Sequence, residues 1–513
     1  MNYYIGLDNG GTTTKAALFD ETGSEIATAC VGTRMLVPRP GYTERDMEEM
    51  WRANCEVLKQ VLQKSGVSPN SVQCVACCGH GKGLYLWGKD GRPVRNGIIS
   101  TDNRAWDYPR CWEEHGVTAK VFERSCQQVL ASQPVSLLAW LKDNEPEAIE
   151  RTEYIFECKD YVRFRLTGSA RAELTDYSGA NFVDLHTGEY SPELLALFGL
   201  GDCLEKLPPL IHSTDIAGAI TREAAEQTGL REGTPVAGGA FDIDACAIAV
   251  NVTDEHNICM IAGTWSINEY LCRKPVTDGS VMMNSFSFLP EYYLVEECSP
   301  TSAGNIEWFI QSLLPELKSM AEQNELSVYD QLNLWVSQTP PETLCPTFLP
   351  FLMASNVHPS AMGCFLGMSN FHTRAHLARS IYEGVAFSHR YHLEKLLLSK
   401  TTPTRSIRLA GGAAKSAVWT QMFADVTNLP VEAVDANETG ALGCAVICAV
   451  ACGAYGSLAE AADAMCGMSP PVKPIPRNVS IYEQKYALYK RAIEALDPYW
   501  DKLRTTRDTL EIS

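Results

Sequence analysis

The chain has no basic excess, no apolar run of membrane-spanning length and no low-complexity tract, and each absence removes a class of function. Its 43 lysines and arginines are outnumbered by 62 aspartates and glutamates, a formal net charge of -19 over 513 residues. A nucleic-acid or anionic-membrane surface needs a basic face, so neither partner is expected. The longest apolar stretch, Gly440 to Gly456, is rich in Gly, Ala and Cys. It falls short of the ~20 strongly apolar residues that cross a bilayer and reads as a tightly packed internal helix. No segment reads as a targeting peptide. The 19 cysteines are scattered; Cys74, Cys77 and Cys78 lie in the apolar run Val72 to Cys78 with no second ligand pair at zinc-site spacing, so a metal or disulfide framework is not expected. Reduced thiols in a cytoplasmic protein fit best.

What is present is ordinary globular composition, 45% hydrophobic and 20% charged, in a chain longer than a single core sustains. Two domains with a cleft between them are expected. Apolar strands at Tyr3 to Leu7, Ala16 to Phe19 and Ile26 to Cys30, broken by Gly/Thr and Glu-Thr-Gly-Ser turns, form an antiparallel meander. Met47, Met50, Trp51, Val57, Leu58, Val61 and Leu62 recur at helical spacing, capped by Asp46 and stopped by Gly66. Near residue 257 the opening pattern returns: Asn257 to Ile261, the turn Ala262 to Ser266, then Ile267 to Cys272. This repeat implies two domains of related fold, 1–250 and 251–513. A final amphipathic helix, Ser480 to Leu503, could pack on either.

In the first turn Gly10 and Gly11 bring the backbone close to a ligand, and Thr12, Thr13 and Thr14 offer N–H and hydroxyl donors to phosphate. Asp8 is placed to hold magnesium, through water. The same chemistry recurs at Gly263 and Thr264, at Gly411, Gly412 and Ala413 with Ser416 before a helix, and in the turn Pro300 to Gly304. For so acidic a chain, these turns are where an anionic nucleotide would find its donors. Between the two halves, Gly238 to Ala245 delivers Asp242, the candidate general base and a second metal ligand; Asp244 competes on chemistry alone. Lys82 and Arg104 could pair with a carboxylate, while His80, Gly81, Asp102 and Asp242 could line a polyol site.

These motifs resemble the FGGY carbohydrate kinases, and the resemblance covers nearly the whole chain. It implies an α/β fold of two related actin-like (ribonuclease H-like) domains, as in the sugar kinase, Hsp70 and actin superfamily, closing around ATP with Mg2+ and a sugar. By resemblance, Asp8 to Thr14 and Gly263-Thr264 are the phosphate loops, Gly411 to Ala413 with Ser416 the adenosine motif, and Asp242 the catalytic base, since Ala245 follows at the family's spacing. Pro40 to Asp46, Trp140-Leu141 and Glu383 to Phe387 match further signatures. Gly81 to Leu84, Asp102 to Ala105, Pro134 to Leu138, Ser299 to Ser302 and Asn305 to Phe309 resemble the members acting on L-xylulose or 3-keto-L-gulonate.

His80, Ile243, Leu137 and Ala354-Ser355-Asn356 depart from common family residues at positions expected to touch substrate. Sugar choice therefore stays open among L-xylulose, 3-keto-L-gulonate, D-xylulose, L-ribulose, gluconate and a tetritol. A non-catalytic actin-like regulatory protein is the reading from another class. Oligomeric state is open, a homodimer included.

Overall fold

The computed structural model describes residues 2–434 and 436–511. They divide into two compact units: Met1–Asp254 with Leu271–Val295 and Asp435–Gly467, and Glu255–Tyr270 with Glu296–Val434 and Met468–Ser513.

In the first unit the opening strand Tyr3–Asn9 pairs antiparallel with Thr13–Asp20, which pairs antiparallel with Glu25–Gly32. The other edge of Tyr3–Asn9 pairs parallel with Val72–Gly79, and Pro235–Ala237 follows it. The sheet packs on the helix Met47–Ser65, whose apolar face buries Met50, Trp51, Val57, Leu58 and Val61 against Ile5, Leu7 and Leu18. Asp46 caps this helix by accepting from the amides of Glu48 and Glu49, and Gly66 ends it with φ 65°. The boundaries follow from side-chain capping and left-handed glycine, as the sequence anticipates.

The second unit repeats the pattern. Asn257–Ala262 pairs antiparallel with Ser266–Cys272 and parallel with Ser406–Ala410, which pairs parallel with Val431–Ala433. Hairpin, parallel neighbour and next parallel strand thus occur in the same order in both sheets. The repeat inferred from the two turns is a repeat of topology.

The units differ from the expected division at 250/251. After Asp254 the chain returns to the first unit twice, as 271–295 and 435–467. The cause of the second return is the small-residue helix Thr439–Ala451. A Cβ on Gly6 would lie 2.0 Å from the carbonyl oxygen of Ala441, and one on Gly443 would lie 2.0 Å from that of Ala245. This helix therefore presses backbone to backbone on both the opening strand and the helix Asp242–Ala249, which only glycine permits. The terminal helix, Pro476–Glu511, lies in the second unit, where Tyr482, Tyr486 and Tyr489 pack around Phe387. Gly443→Ala is expected to cost about 3 kcal/mol, since neither backbone can give way; a lower thermal midpoint with unchanged secondary structure checks it, and an unchanged midpoint contradicts this packing.

Candidate active site

Three strands of the first unit end in one row. Asp8 pairs with Cys78 and Asn9 with Gly79; on the other side Ala240 pairs with Cys78 and Phe241 with Gly79. The segments leaving these ends, Gly10 to Thr13, His80 to Gly83 and the helix beginning at Asp242, therefore start side by side. Carboxyl ends of parallel strands gather ligand groups in this way.

The first loop is braced from outside the motif. Arg45, fully buried, donates to the carbonyl of Gly10 at 2.8 Å and to the Thr14 hydroxyl at 2.9 Å. Thr14 in turn donates to Asn9 Oδ1, which also accepts from Asn54 at 2.8 Å. The Thr14 hydroxyl is thus engaged on both sides as an internal brace. Thr12 is exposed, Gly10, Gly11 and Thr13 are half-buried, and a Cβ on Gly11 would meet nothing within 4 Å. The open side of the loop is therefore backbone.

Asp242 is the first residue of its helix. Burial first, and then the charges of Asp8 and Asp176, hold its carboxyl well above the ordinary aspartate range, while the amide of Ile243 and the charge of Lys82 pull it down. Asp8 is also raised, chiefly by burial, against the pull of Lys15 across the hairpin; Lys15 pairs with Glu438 at 2.8 Å. A divalent cation would relieve this crowding of carboxylates. Asp8 and Asp242 are the carboxylates that would meet it. That donor set fits magnesium, which keeps its waters and takes phosphate oxygens.

Lys82 holds a left-handed backbone, φ 58°, and is buried. It is not a solvated surface charge. A Cβ on Gly81 would lie 2.4 Å from the Phe241 ring and 2.7 Å from Asp176 Oδ1, so the 80–83 turn lies directly on the segment leading to Asp242. His80 Nε2 meets the Tyr85 hydroxyl at 2.8 Å; burial, and then the charge of Arg45, push its pKa down to about 4, so it is neutral at physiological pH.

Asp102 and Arg104 are joined to each other. Oδ1 of Asp102 accepts from the Arg104 amide and Nε, both at 2.9 Å, and Oδ2 accepts from the Thr43 amide at 2.6 Å and Arg104 Nη2 at 2.9 Å. Its acceptor capacity is filled, which leaves none for a sugar hydroxyl. Arg104 also donates to Glu44 at 2.8 Å and lies over the rings of Tyr42 and Trp140, 4.4 and 5.2 Å from their centroids. The pair fastens the Pro40 to Asp46 segment, and through it Arg45.

Beneath Asp242 is a buried ionic cluster that sequence reasoning missed. Lys159 Nζ lies 2.8 Å from both Asp160 and Asp176 and 3.5 Å from Glu173. Asp160 also pairs with Arg163 at 2.6 Å. Burial opposes the Lys159 charge, but the three carboxylates outweigh it and raise its pKa. From this cluster Thr175 donates to Glu173 at 2.7 Å and accepts from the Phe241 amide at 2.9 Å, fixing the residue before Asp242. Asp244, fully buried, accepts from the amide of Phe288 at 3.3 Å.

In the second unit the other turns converge. Gly411 has φ 86°, and a Cβ there would lie 2.6 Å from the Ala262 carbonyl and 3.1 Å from the Gly263 amide nitrogen. A Cβ on Gly304 would lie 3.8 Å from the Thr264 carbonyl oxygen. Gly263, Thr264, Gly304 and Gly411 are thus neighbours, with Thr264 and Gly412 exposed. Ala413 is buried. Ser416 caps the helix Ala417–Thr427 and donates to Asn333 at 2.7 Å. Its hydroxyl is therefore engaged in supporting the turn. Asn333, which also accepts from Tyr382, went unnoticed in the sequence.

A duplicated α/β topology with glycine turns at strand ends and a carboxylate opening a helix defines the class of actin-like phosphotransferases. The model for the N-terminal domain of the FGGY family of carbohydrate kinases matches residues 3–249, and that for the C-terminal domain matches 258–452. The chain belongs to the FGGY family of carbohydrate kinases. It is 36% identical over 507 residues to an L-xylulose/3-keto-L-gulonate kinase of Escherichia coli, covering 98% of this chain and 99% of that one. With a probable L-xylulose kinase of Haemophilus influenzae it shares 35% over 498 residues, covering 97% and 99%. The crystal structure of a xylulose kinase from Rhodospirillum rubrum superposes with a TM-score of 0.83 at 25% identity, over 98% of this chain and 100% of that one. The protein is a sugar kinase that uses ATP. A non-catalytic regulatory role is thereby set aside. Among the described residues no helix is long and apolar enough to cross a membrane.

Proposed function

We propose that the enzyme transfers the γ-phosphate of ATP to a primary hydroxyl of a ketose or ketoaldonate, with L-xylulose and 3-keto-L-gulonate as the first substrates to test. The observation that carries this reading is the row of strand ends that sets Asp242 beside Asp8 and the His80 to Lys82 turn. In this reading Asp242 accepts the hydroxyl proton as the oxygen attacks phosphorus. Lys82 supplies positive charge beside Asp242, and His80, whose ring nitrogens face the Tyr85 hydroxyl and the Gly81 carbonyl, lines the sugar side of the turn. Backbone amides of Gly10 to Thr13 in the first unit hold phosphate, as do those of Gly263, Thr264 and Gly304 in the second, and Gly411 to Ala413 accept the adenosine. Asp8 and Asp242 would hold magnesium, which neutralises charge on the phosphate oxygens when bound. Asp102 and Arg104 frame the site without touching the sugar.

The L-xylulose and 3-keto-L-gulonate names of the relatives at 35–36% identity favour those two substrates. The test is kcat/KM across a panel: these two, D-xylulose, L-ribulose, gluconate and a tetritol. One of the first two is expected to exceed the rest by about tenfold or more, the scale of one well-made hydrogen bond. Highest efficiency with gluconate or D-xylulose would replace the substrate assignment while leaving the base in place.

A further inference from the structure

Resting on the reading of Gly263-Thr264 and Gly304 as phosphate turns, we propose that His389 is the positioning residue that locks these two turns together and so sets affinity for the nucleotide. His389 lies on the helix Arg374–Ser399 and is fully buried. Its Nε2 is 2.9 Å from the hydroxyl of Ser302, and its Nδ1 is 3.0 Å from Oδ1 of Asn268.

The protons along this chain can be assigned. Asn268 directs its amide nitrogen to the carbonyl of Glu297 at 3.4 Å, which turns its oxygen toward the histidine. An amide oxygen only accepts, so Nδ1 carries the proton and donates. Nε2 of the neutral ring is then the acceptor, and Ser302 donates to it. Burial, and then the charge of His392, push the His389 pKa down to about 3, so the ring stays neutral across the working range and its two hydrogen bonds set the tautomer. The ring of Phe423 packs edge-on against the imidazole at 5.4 Å.

One end of the chain lies in a phosphate turn and the other on the strand that leaves one. Asn268 is on the strand Ser266–Cys272 that leaves the Gly263-Thr264 turn, and Ser302 is in the turn that ends at Gly304. Ser302 also donates its amide to the Thr264 carbonyl at 3.0 Å, so the two turns are tied once by backbone and once through His389. Asn305 secures the same turn, donating to Thr301 at 2.8 Å and to the Ser302 carbonyl at 2.7 Å. Without the imidazole, Ser302 and Asn268 each lose a buried partner, and the spacing of the two turns rests on one amide.

The test compares His389→Ala, His389→Gln and Ser302→Ala with Gly304→Val, all folded by circular dichroism, using steady-state KM for ATP and for the ketose separately. His389→Ala and Ser302→Ala are expected to raise KM for ATP about tenfold and leave KM for the ketose within about twofold. Glutamine, which can donate and accept along the same line, is expected to recover most of the loss. Equal rises in both KM values, or none, would overturn the proposal. If His389→Ala does not fold, Ser302→Ala, which removes one hydroxyl, reads the same two constants. Gly304→Val separates the two ideas: unchanged KM for ATP there rejects the phosphate-turn reading itself. A rise there, with no rise in the His389 and Ser302 variants, rejects only the clamp.

Discussion

Asp242→Asn should reduce kcat by about 10²- to 10⁴-fold, the range that a positioned general base contributes, while ATP and ketose still bind. The amide keeps the volume of the carboxyl and the helix-opening position but has no affinity for the hydroxyl proton. It also removes one negative charge from the group in which Asp8 and Asp176 raise the Asp242 carboxyl. Asp8 in the variant should therefore be no harder to ionise than in the parent, so one of the two carboxylates proposed to hold magnesium is kept. Calorimetric titration with ATP and with ketose, beside turnover, makes the distinction. Loss of both binding steps would mean that Asp242 is structural, and near-normal turnover would move the base elsewhere.

Lys159→Met should be the most damaging change to the fold outside the glycine contacts. It leaves Asp176 and Glu173 buried without their cation, while Asp160 retains Arg163. Breaking one side of a buried ion cluster costs about 3–5 kcal/mol, a fall in melting temperature on the order of 10 °C. The pH dependence gives the cause away. In the variant Glu173, whose carboxyl burial raises and Lys159 pulls down, loses that pull and binds its proton more tightly folded than unfolded, so stability rises as pH falls through its raised folded pKa and levels off near the ordinary carboxylate range. The deficit against the parent should be larger at pH 8 than at pH 5.5. A deficit independent of pH would mean that lost packing, not charge, is responsible. Activity should fall further than stability, because Glu173 and Thr175 hold the Phe241 amide next to Asp242.

What could be read in advance was local. The opening meander, the Asp46-to-Gly66 helix and the second hairpin follow from alternation, capping residues and glycines that the chain displays within a few positions. The glycine turns could be picked out for the same reason. What holds them in place could not, because it joins distant residues: Arg45 reaches Gly10 and Thr14, Asn333 meets Ser416, and His389 meets Ser302 from 87 positions away and Asn268 from 121. Asp102 and Arg104 looked like sugar ligands since polar side chains in an Asp-Asn-Arg turn advertise donors and acceptors; only coordinates reveal that these are spent on each other. The compact units depart from a break at 250/251 through Thr439–Ala451. A stripe of Gly, Ala and Cys predicts close packing, but nothing in it specifies that the partners are Gly6 and Ala245.

The most direct test of the phosphotransfer account follows the phosphate itself. With ATP labelled at the γ-phosphate and L-xylulose or 3-keto-L-gulonate as acceptor, label should appear in the sugar phosphate in step with ADP, and Asp242→Asn should remove that transfer. Label collecting instead as inorganic phosphate at a rate indifferent to the sugar, or persisting in the sugar phosphate with Asp242→Asn, would contradict it.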